Sequence, residues 1–258
     1  MKNIELIDLH IHTNLSSDSD NQLEKVAGEA KRKGLKVIGI TNHIPELPGF
    51  IWYNKIEALY KLKEKAKKLE KAKGVKILIG VEATIMDYNG TLTLPDSFLK
   101  ECDIVIAAVH RCHMGFSTKK DYLVPQDTLA RFHYAIPDYY KQMLGALKNP
   151  YVHTVAHPMW ALTQMLSKTE DRELIFNNFP DIYREDIAKS AKKQNKAIEL
   201  NSIGLPDDAF LRIIKDNKTK ITIGSDAHKL SDVGEISWQL AKIKEFGFTN
   251  KDMLVPSK

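Results

Sequence analysis

A short apolar run followed by an amphipathic stretch recurs seven times along this chain, and that alternation limits the fold more than any other feature. The apolar runs are Ile4–Leu9, Val37–Ile40, Val75–Val81, Asp103–Val109, Val152–Ala156, Ala197–Leu200 and Ile221–Gly224. Their lengths and apolar content predict short buried strands. Between the first two, Leu23, Val26, Ala27 and Ala30 repeat at helical spacing, and Gly34 is placed to cap that helix. Further helices are predicted over Asn54–Lys73, Pro95–Lys100, about Gln126 to Leu147, Asp207–Asn217 and Val233–Phe246. Two more lie between Leu162 and Gln194, parted near Pro180, and Pro137 should break or kink the helix it falls in. Asn89-Gly90 is a hairpin-type turn signal, so Ala83–Leu94 reads as a small excursion.

Strict strand–helix alternation argues for a parallel α/β fold, and seven units argue for a closed or nearly closed barrel. The alternative is a doubly wound open sheet. No Gly-x-Gly-x-x-Gly follows the first strand and no P-loop occurs, so the usual nucleotide-binding signature of the open form is missing. With no linker, internal repeat or low-complexity tract, residues 1–258 read as a single domain, and barrels of about 250 residues are ordinary.

Composition narrows the function classes. The formal charge of +5 favours anionic substrates weakly. The lysine-rich segment Lys61–Lys73 reads as the solvated face of a helix, and no aromatic-plus-basic platform argues for nucleic acid. Cys102 and Cys112 form no spaced framework, which points to a reducing compartment. Met1-Lys2-Asn3-Ile4-Glu5 lacks the apolar run of a signal peptide, and no stretch approaches the ~20 apolar residues that span a bilayer. The expectation is a cytoplasmic protein with no membrane partner; a homo-oligomer stays open.

The chemistry-bearing residues sit at one kind of place. In Asp8-Leu9-His10-Ile11-His12-Thr13, two histidines occupy alternate positions at the end of the first strand and can reach one point. His43, Glu82, His110, His157, Asp226 and His228 fall at the C-terminal ends of later strands. A parallel barrel gathers those ends on one face, which carries the active site. His113, His133 and His153 stay outside the pattern: His153 opens a strand and reads as structural, and His113 is a candidate substrate-loop residue. Imidazoles with carboxylates suit Zn, Mn or Fe better than the all-oxygen shells of Mg and Ca. Six histidines and two carboxylates exceed the needs of one tetrahedral ion, so two or three divalent ions are implied. A carboxylate such as Glu82 can bridge two of them, and two bridged ions can hold a hydroxide and clamp a phosphoryl group.

Six fragments, in order, resemble the PHP family, named for its polymerase-associated and histidinol-phosphatase members. They are Asp8-Leu9-His10-Ile11-His12-Thr13, Gly39-Ile40-Thr41-Asn42-His43, Gly80-Val81-Glu82, Ala108-Val109-His110, Ala156-His157-Pro158 and Gly224-Ser225-Asp226-Ala227-His228. Glu199-Leu200-Asn201 and Val233-Gly234-Glu235 are similar to late segments of the stand-alone bacterial trinuclear phosphatases of that family. The resemblance implies a distorted (βα)7 TIM-like barrel and phosphomonoester hydrolysis. It places His10, His12, Glu82 and Asp226 on a first metal, Glu82, His110 and His157 on a second, and His43 and His228 on a third. Three departures stand out. Asp18 occupies the position of the third site's usual loop histidine, with Asp20 as a substitute. Asn42 replaces an acidic residue, removing a negative charge beside the metal shell. The third is a long segment between His110 and His157.

The reading that follows is a metal-dependent phosphoesterase acting on a small phosphorylated substrate, in which a metal-bridging hydroxide attacks phosphorus in line. Arg111 can fork onto the phosphate oxygens, with Lys119, Lys120 and Arg131 as weaker candidates, and Asp226 can double as a proton acceptor or donor. Alternatives sharing the cluster are a histidinol-phosphate phosphatase, a phosphotyrosine phosphatase and a metal-dependent exonuclease or phosphodiesterase. An amidohydrolase would usually carry a lysine bridge where this chain has Glu82. A non-catalytic metal-bound regulatory module is the non-enzyme reading, and the complete ligand set argues against it.

Overall fold

Each of the seven apolar runs forms a strand in the computed structural model, which describes residues 4–44, 52–110, 128–165, 171–204 and 206–256. The strands are β1 (Ile7–Ile11), β2 (Val37–Asn42), β3 (Lys76–Thr84), β4 (Ile104–Ala108), β5 (Thr154–Val155), β6 (Ala197–Asn201) and β7 (Lys220–Gly224). They join one sheet in chain order, and the pairings along it are parallel. Every residue of β1, β2, β4 and β6 is buried, as a parallel sheet sheathed in helices requires.

The helices are α1 (Leu23–Arg32), α2 (Trp52–Lys73), α3 (Asp96–Leu99), α4 (Thr128–Lys148), α5 (Trp160–Met165), α6 (Asp171–Asn178), α7 (Asp181–Lys193), α8 (Asp208–Asp216) and α9 (Ser237–Glu245). Helix α1 buries the stripe its spacing predicts, Leu23, Val26, Ala27 and Ala30. Among the described residues no helix is long and apolar enough to cross a membrane.

The sheet curls until β7 meets β1. Ile11 bridges Ala227 in parallel, the Asp226 amide donates to the His10 carbonyl at 2.8 Å, and the His12 amide donates to the Ala227 carbonyl at 2.9 Å. The Asp8 carboxylate stitches the same seam, accepting from the Ser225 amide (2.9 Å), the Ser225 hydroxyl (2.7 Å) and the Gly234 amide (2.8 Å). Burial pushes the Asp8 carboxyl up and these donors pull it back, leaving it above the ordinary value. The result is a nearly closed, distorted (βα)7 TIM-like barrel whose seam closes at the end where the histidines gather.

Three boundaries differ from the sequence reading. Strand β1 starts at Ile7, because its ladder with β2 begins at Ile7 opposite Val37, so His10 lies inside the strand. Helix α4 runs unbroken through Pro137. A proline costs an interior helix about 3 kcal/mol. The buried side chains Ala135, Ile136, Tyr139, Met143, Ala146 and Leu147 offset that cost. The last predicted helix, Val233–Phe246, starts only at Ser237 in α9, because Gly234 takes φ +72° and gives its amide to Asp8; a 3-10 turn, Leu230–Asp232, precedes it. The excursion after β3 is present, with Ile85 bridging Leu92 in antiparallel sense.

Candidate metal centre

Glu82, near the end of β3 and 3% exposed, is the centre of the site. Its Oε2 lies 3.1 Å from His10 Nε2, 3.4 Å from His12 Nε2 and 3.3 Å from His43 Nε2. Its Oε1 lies 2.8 Å from His157 Nε2 and 3.1 Å from His110 Nε2. The carboxylate thus faces two sets of imidazoles with two different oxygens. On the first side, Asp226 Oδ1 stands 3.1 Å from His12 Nε2 and 3.4 Å from His10 Nε2. Farther out, Asp18 Oδ2 stands 3.2 Å from His228 Nε2 and 3.7 Å from His43 Nε2. His10, His12, Asp18, His43, Glu82, His110, His157, Asp226 and His228 therefore converge on one region.

Among the described residues, three sets have ligand atoms close enough to share an ion: His10, His12, Glu82 and Asp226; His43, Glu82 and His110; and His12, Asp18, His43 and His228. His157 approaches Glu82 beside the second set. His43 takes part in two sets, so it stands between the second and third groups, where the sequence resemblance gave it to the third alone. Asp20 is exposed and belongs to none of the three.

The far sides of the rings explain why their Nε2 atoms face inward as lone pairs. His228 Nδ1 donates to the Asp226 carbonyl at 2.9 Å, and that carbonyl can only accept. His10 Nδ1 donates to Glu199 Oε1 at 2.8 Å. Ser16 Oγ donates to Asn42 Oδ1 at 3.3 Å, so His12 Nδ1 donates to Ser16 Oγ at 3.0 Å. Each ring is held as the Nδ1–H tautomer by its outer partner. His110 Nδ1 has Thr84 Oγ1 at 2.8 Å. Asn42 keeps its structural duty despite the missing charge, accepting also from the Thr13 amide at 2.7 Å.

The electrostatics call for cations. Among the described residues, the ion pairs of Glu82, Asp226 and Glu199 are all with histidines. Burial pulls His10 down, yet Glu199, Asp226 and Glu82 together hold it well above the ordinary histidine value. Burial also opposes charge on His12 and His157, and the nearby carboxylates, Asp226 and Glu82 for the former and Glu82 for the latter, leave both raised. Burial would push Glu82 and Asp226 up, but the surrounding imidazoles hold both carboxyls well down. His43 is lowered, chiefly by burial.

The residues fit metal ions on a direct observation. His10 Nε2, His12 Nε2 and Asp226 Oδ1 are buried without a hydrogen-bond partner. Lone pairs aimed at a common point repel unless a cation lies between them. Ligand atoms each ~2.0–2.2 Å from one ion stand roughly 3.3 Å apart, the spacing found here. Backbone strain collects at the same place: His157, Met159 and Asp226 take φ of 23°, 71° and 56°.

The sequence reading missed Glu199 as a site residue, along with Ser16 and Thr84. The signal for Glu199 was a lone carboxylate inside the apolar run Ala197–Leu200; a serine and a threonine carry no comparable signal. Trp160, also missed, flanks the second set, its ring 5.1 Å from His157 and 5.8 Å from His110. His153 Nδ1 accepts from the Val105 amide at 3.0 Å, away from the centre, and His133 is exposed on α4. Arg111, Cys112, His113, Lys119 and Lys120 lie outside the described residues, as does the side chain of Arg131.

A parallel barrel whose strand ends carry a carboxylate set between groups of imidazoles defines a metal-dependent hydrolase. The model of the PHP domain matches residues 8–203, and the chain belongs to the PHP domain family. It is 32% identical over 254 residues to a probable phosphatase of Caldicellulosiruptor bescii, covering 93% of this chain and 88% of that one. It is 34% identical over 255 residues to a probable phosphatase of Thermoanaerobacter sp., covering 95% of this chain and 87% of the relative. The fold is similar to the crystal structure of histidinol phosphate phosphatase from Lactococcus lactis, complexed with zinc, L-histidinol and phosphate. The TM-score is 0.71 at 20% identity, over 98% of this chain and 96% of that one.

Proposed function

We propose that residues 1–258 act as one metal-dependent phosphomonoesterase unit on a small phosphorylated substrate. The observation that carries this reading is Glu82, whose two oxygens face separate sets of imidazoles, as a carboxylate shared by two ions would. His10, His12, Glu82 and Asp226 would hold a first ion; Glu82, His110 and His157 a second; Asp18, His43 and His228 a third. The mixed nitrogen and oxygen donors suit Zn, Mn or Fe. When bound, such ions supply Lewis acidity and an activated water at neutral pH.

The chain's own part is positioning and proton handling. The partners behind His10, His12 and His228 take up Nδ1, so that in each neutral ring the lone pair is on Nε2 and aimed inward. Asp226, whose Oδ1 is buried beside His10 and His12 without a hydrogen bond, is proposed to take or return a proton in addition to ligating. Arg111, next to His110 in the sequence, is proposed to fork onto phosphate oxygens. The relatives named as probable phosphatases support the reaction class. Histidinol phosphate, an aryl phosphate, nucleotides, sugar phosphates and a phosphotyrosine peptide are the substrates to assay, with elemental analysis of the purified protein. Turnover of a phosphomonoester by protein carrying two or more ions per chain is expected; protein loaded with ions that hydrolyses none of them overturns the reading.

A further inference from the structure

We infer that Glu199 is a positioning residue that ties the first metal group to the second, so that both hold their ions only while it is a carboxylate. This rests on the metal-dependent reading above. Glu199 lies mid-strand in β6 with no exposed surface. Its Oε1 accepts from His10 Nδ1 at 2.8 Å, and His10 belongs to the first group. Its Oε2 accepts from the His157 main-chain amide at 2.7 Å, and His157 Nε2 faces Glu82 on the second side. Asn201 Nδ2 adds a third donor to Oε2 at 3.2 Å.

The barrel makes room for this group. Gly224 on β7 lies so close that a Cβ there would stand 2.1 Å from Glu199 Oε1 and 2.6 Å from His10 Cβ. The amide of His157 is also the start of a strained turn, with φ of 23° at His157 and 71° at Met159. Glu199 Oε2 therefore fixes the backbone from which His157 projects, while Oε1 fixes the ring of His10.

All three partners are donors, so both oxygens must accept, and only a carboxylate does that. A glutamine has one accepting oxygen. If its oxygen faces His10, its NH2 opposes the His157 amide. If it faces His157, its NH2 opposes His10 Nδ1, and His10 must move its proton to Nε2, 3.1 Å from Glu82 Oε2, where an ion would otherwise take the lone pair. Either way one metal group loses its geometry.

The test is a Zn2+ titration of Glu199→Gln against a colorimetric chelator, beside the original protein, with far-UV circular dichroism to verify folding. The affinity of the tightly held ions is expected to fall about 10–100-fold, as for other outer partners of metal-ligating histidines. If Glu199→Gln does not fold, Asn201→Asp, which withdraws the donor from Oε2 while keeping an acceptor for the Ile203 amide and every proposed ligand, is titrated instead; a weaker affinity is again expected, and an unchanged one overturns the inference. A folded Glu199→Gln protein that holds Zn2+ as tightly as the original overturns the inference alone, including where its melting temperature has dropped. An original protein that binds no Zn2+ overturns the metal-dependent reading and the inference with it.

Discussion

Asp18 brings a hard oxygen to the outermost group on a half-exposed side chain, whereas His10, His12 and Glu82 are sealed from water. Water competes for an ion at the outer position and does not at the inner ones. Asp18→Ala is therefore expected to remove one ion per chain on exhaustive dialysis while the inner ions stay, as read by elemental analysis. Asp18→His should favour retention of Zn over Mn at that position, since imidazole is the softer donor. His157→Ala and Asp226→Ala act deeper and should abolish phosphatase activity and lower metal content together; full activity in either would defeat the proposed roles. The residues legible in advance were those ending strands, because a histidine after an apolar run has an address in a parallel barrel. The role of Glu199 was not legible, although its lone carboxylate in an apolar run was: it acts through His10, far away in sequence, and spacing records no such pairing. Ser16 lies only four residues from His12, but a serine in a polar loop carries no signal of its own.

At the scale of elements, the turn from β5 into α5 shows how packing fixes a ligand. Met159 is buried at φ +71°, and its amide donates to the Tyr139 hydroxyl at 2.9 Å. Tyr139 projects from α4, the helix that runs through Pro137, so α4 braces the segment that carries His157. Tyr139→Phe removes the acceptor and leaves a buried amide unpaired, at a cost of about 1–3 kcal/mol. For a chain of this length that corresponds to a melting temperature lower by roughly 2–4 °C per kcal/mol. A scanning calorimeter checks it, and an unchanged melting temperature would show that the turn holds itself. The element order and the α1 stripe were legible because hydrophobic periodicity is local. The start of the last predicted helix was not, since Gly234 leaves the helical path to reach Asp8 on the opposite side of the closing seam.

Across the whole molecule, protons and metal ions compete for the same inward-facing nitrogens, and that competition sets how stability depends on pH. In the metal-free chain, His10, His12 and His157 stand above the ordinary histidine value of 6.5, so their protonation stabilises the fold. That contribution is whole below about pH 6.5 and is lost as pH rises through the raised values. Glu82 and Asp226 stand below the ordinary carboxylate range, so their contribution is present above about pH 4 and is lost only in strong acid. His43 and His153, both lowered by burial, work the other way and stabilise as they lose their protons, but they are two rings against three. The metal-free melting temperature should thus fall as pH rises above about 6.5. Metal-loaded protein should show the reverse, because ligating imidazoles must be unprotonated and affinity rises with pH. At a thousandfold excess of ion over its dissociation constant, binding adds about 4 kcal/mol. Paired calorimetric scans, one series with chelator and one with excess Zn2+, should diverge as pH rises. Parallel curves would mean that the ions sit somewhere other than among these histidines.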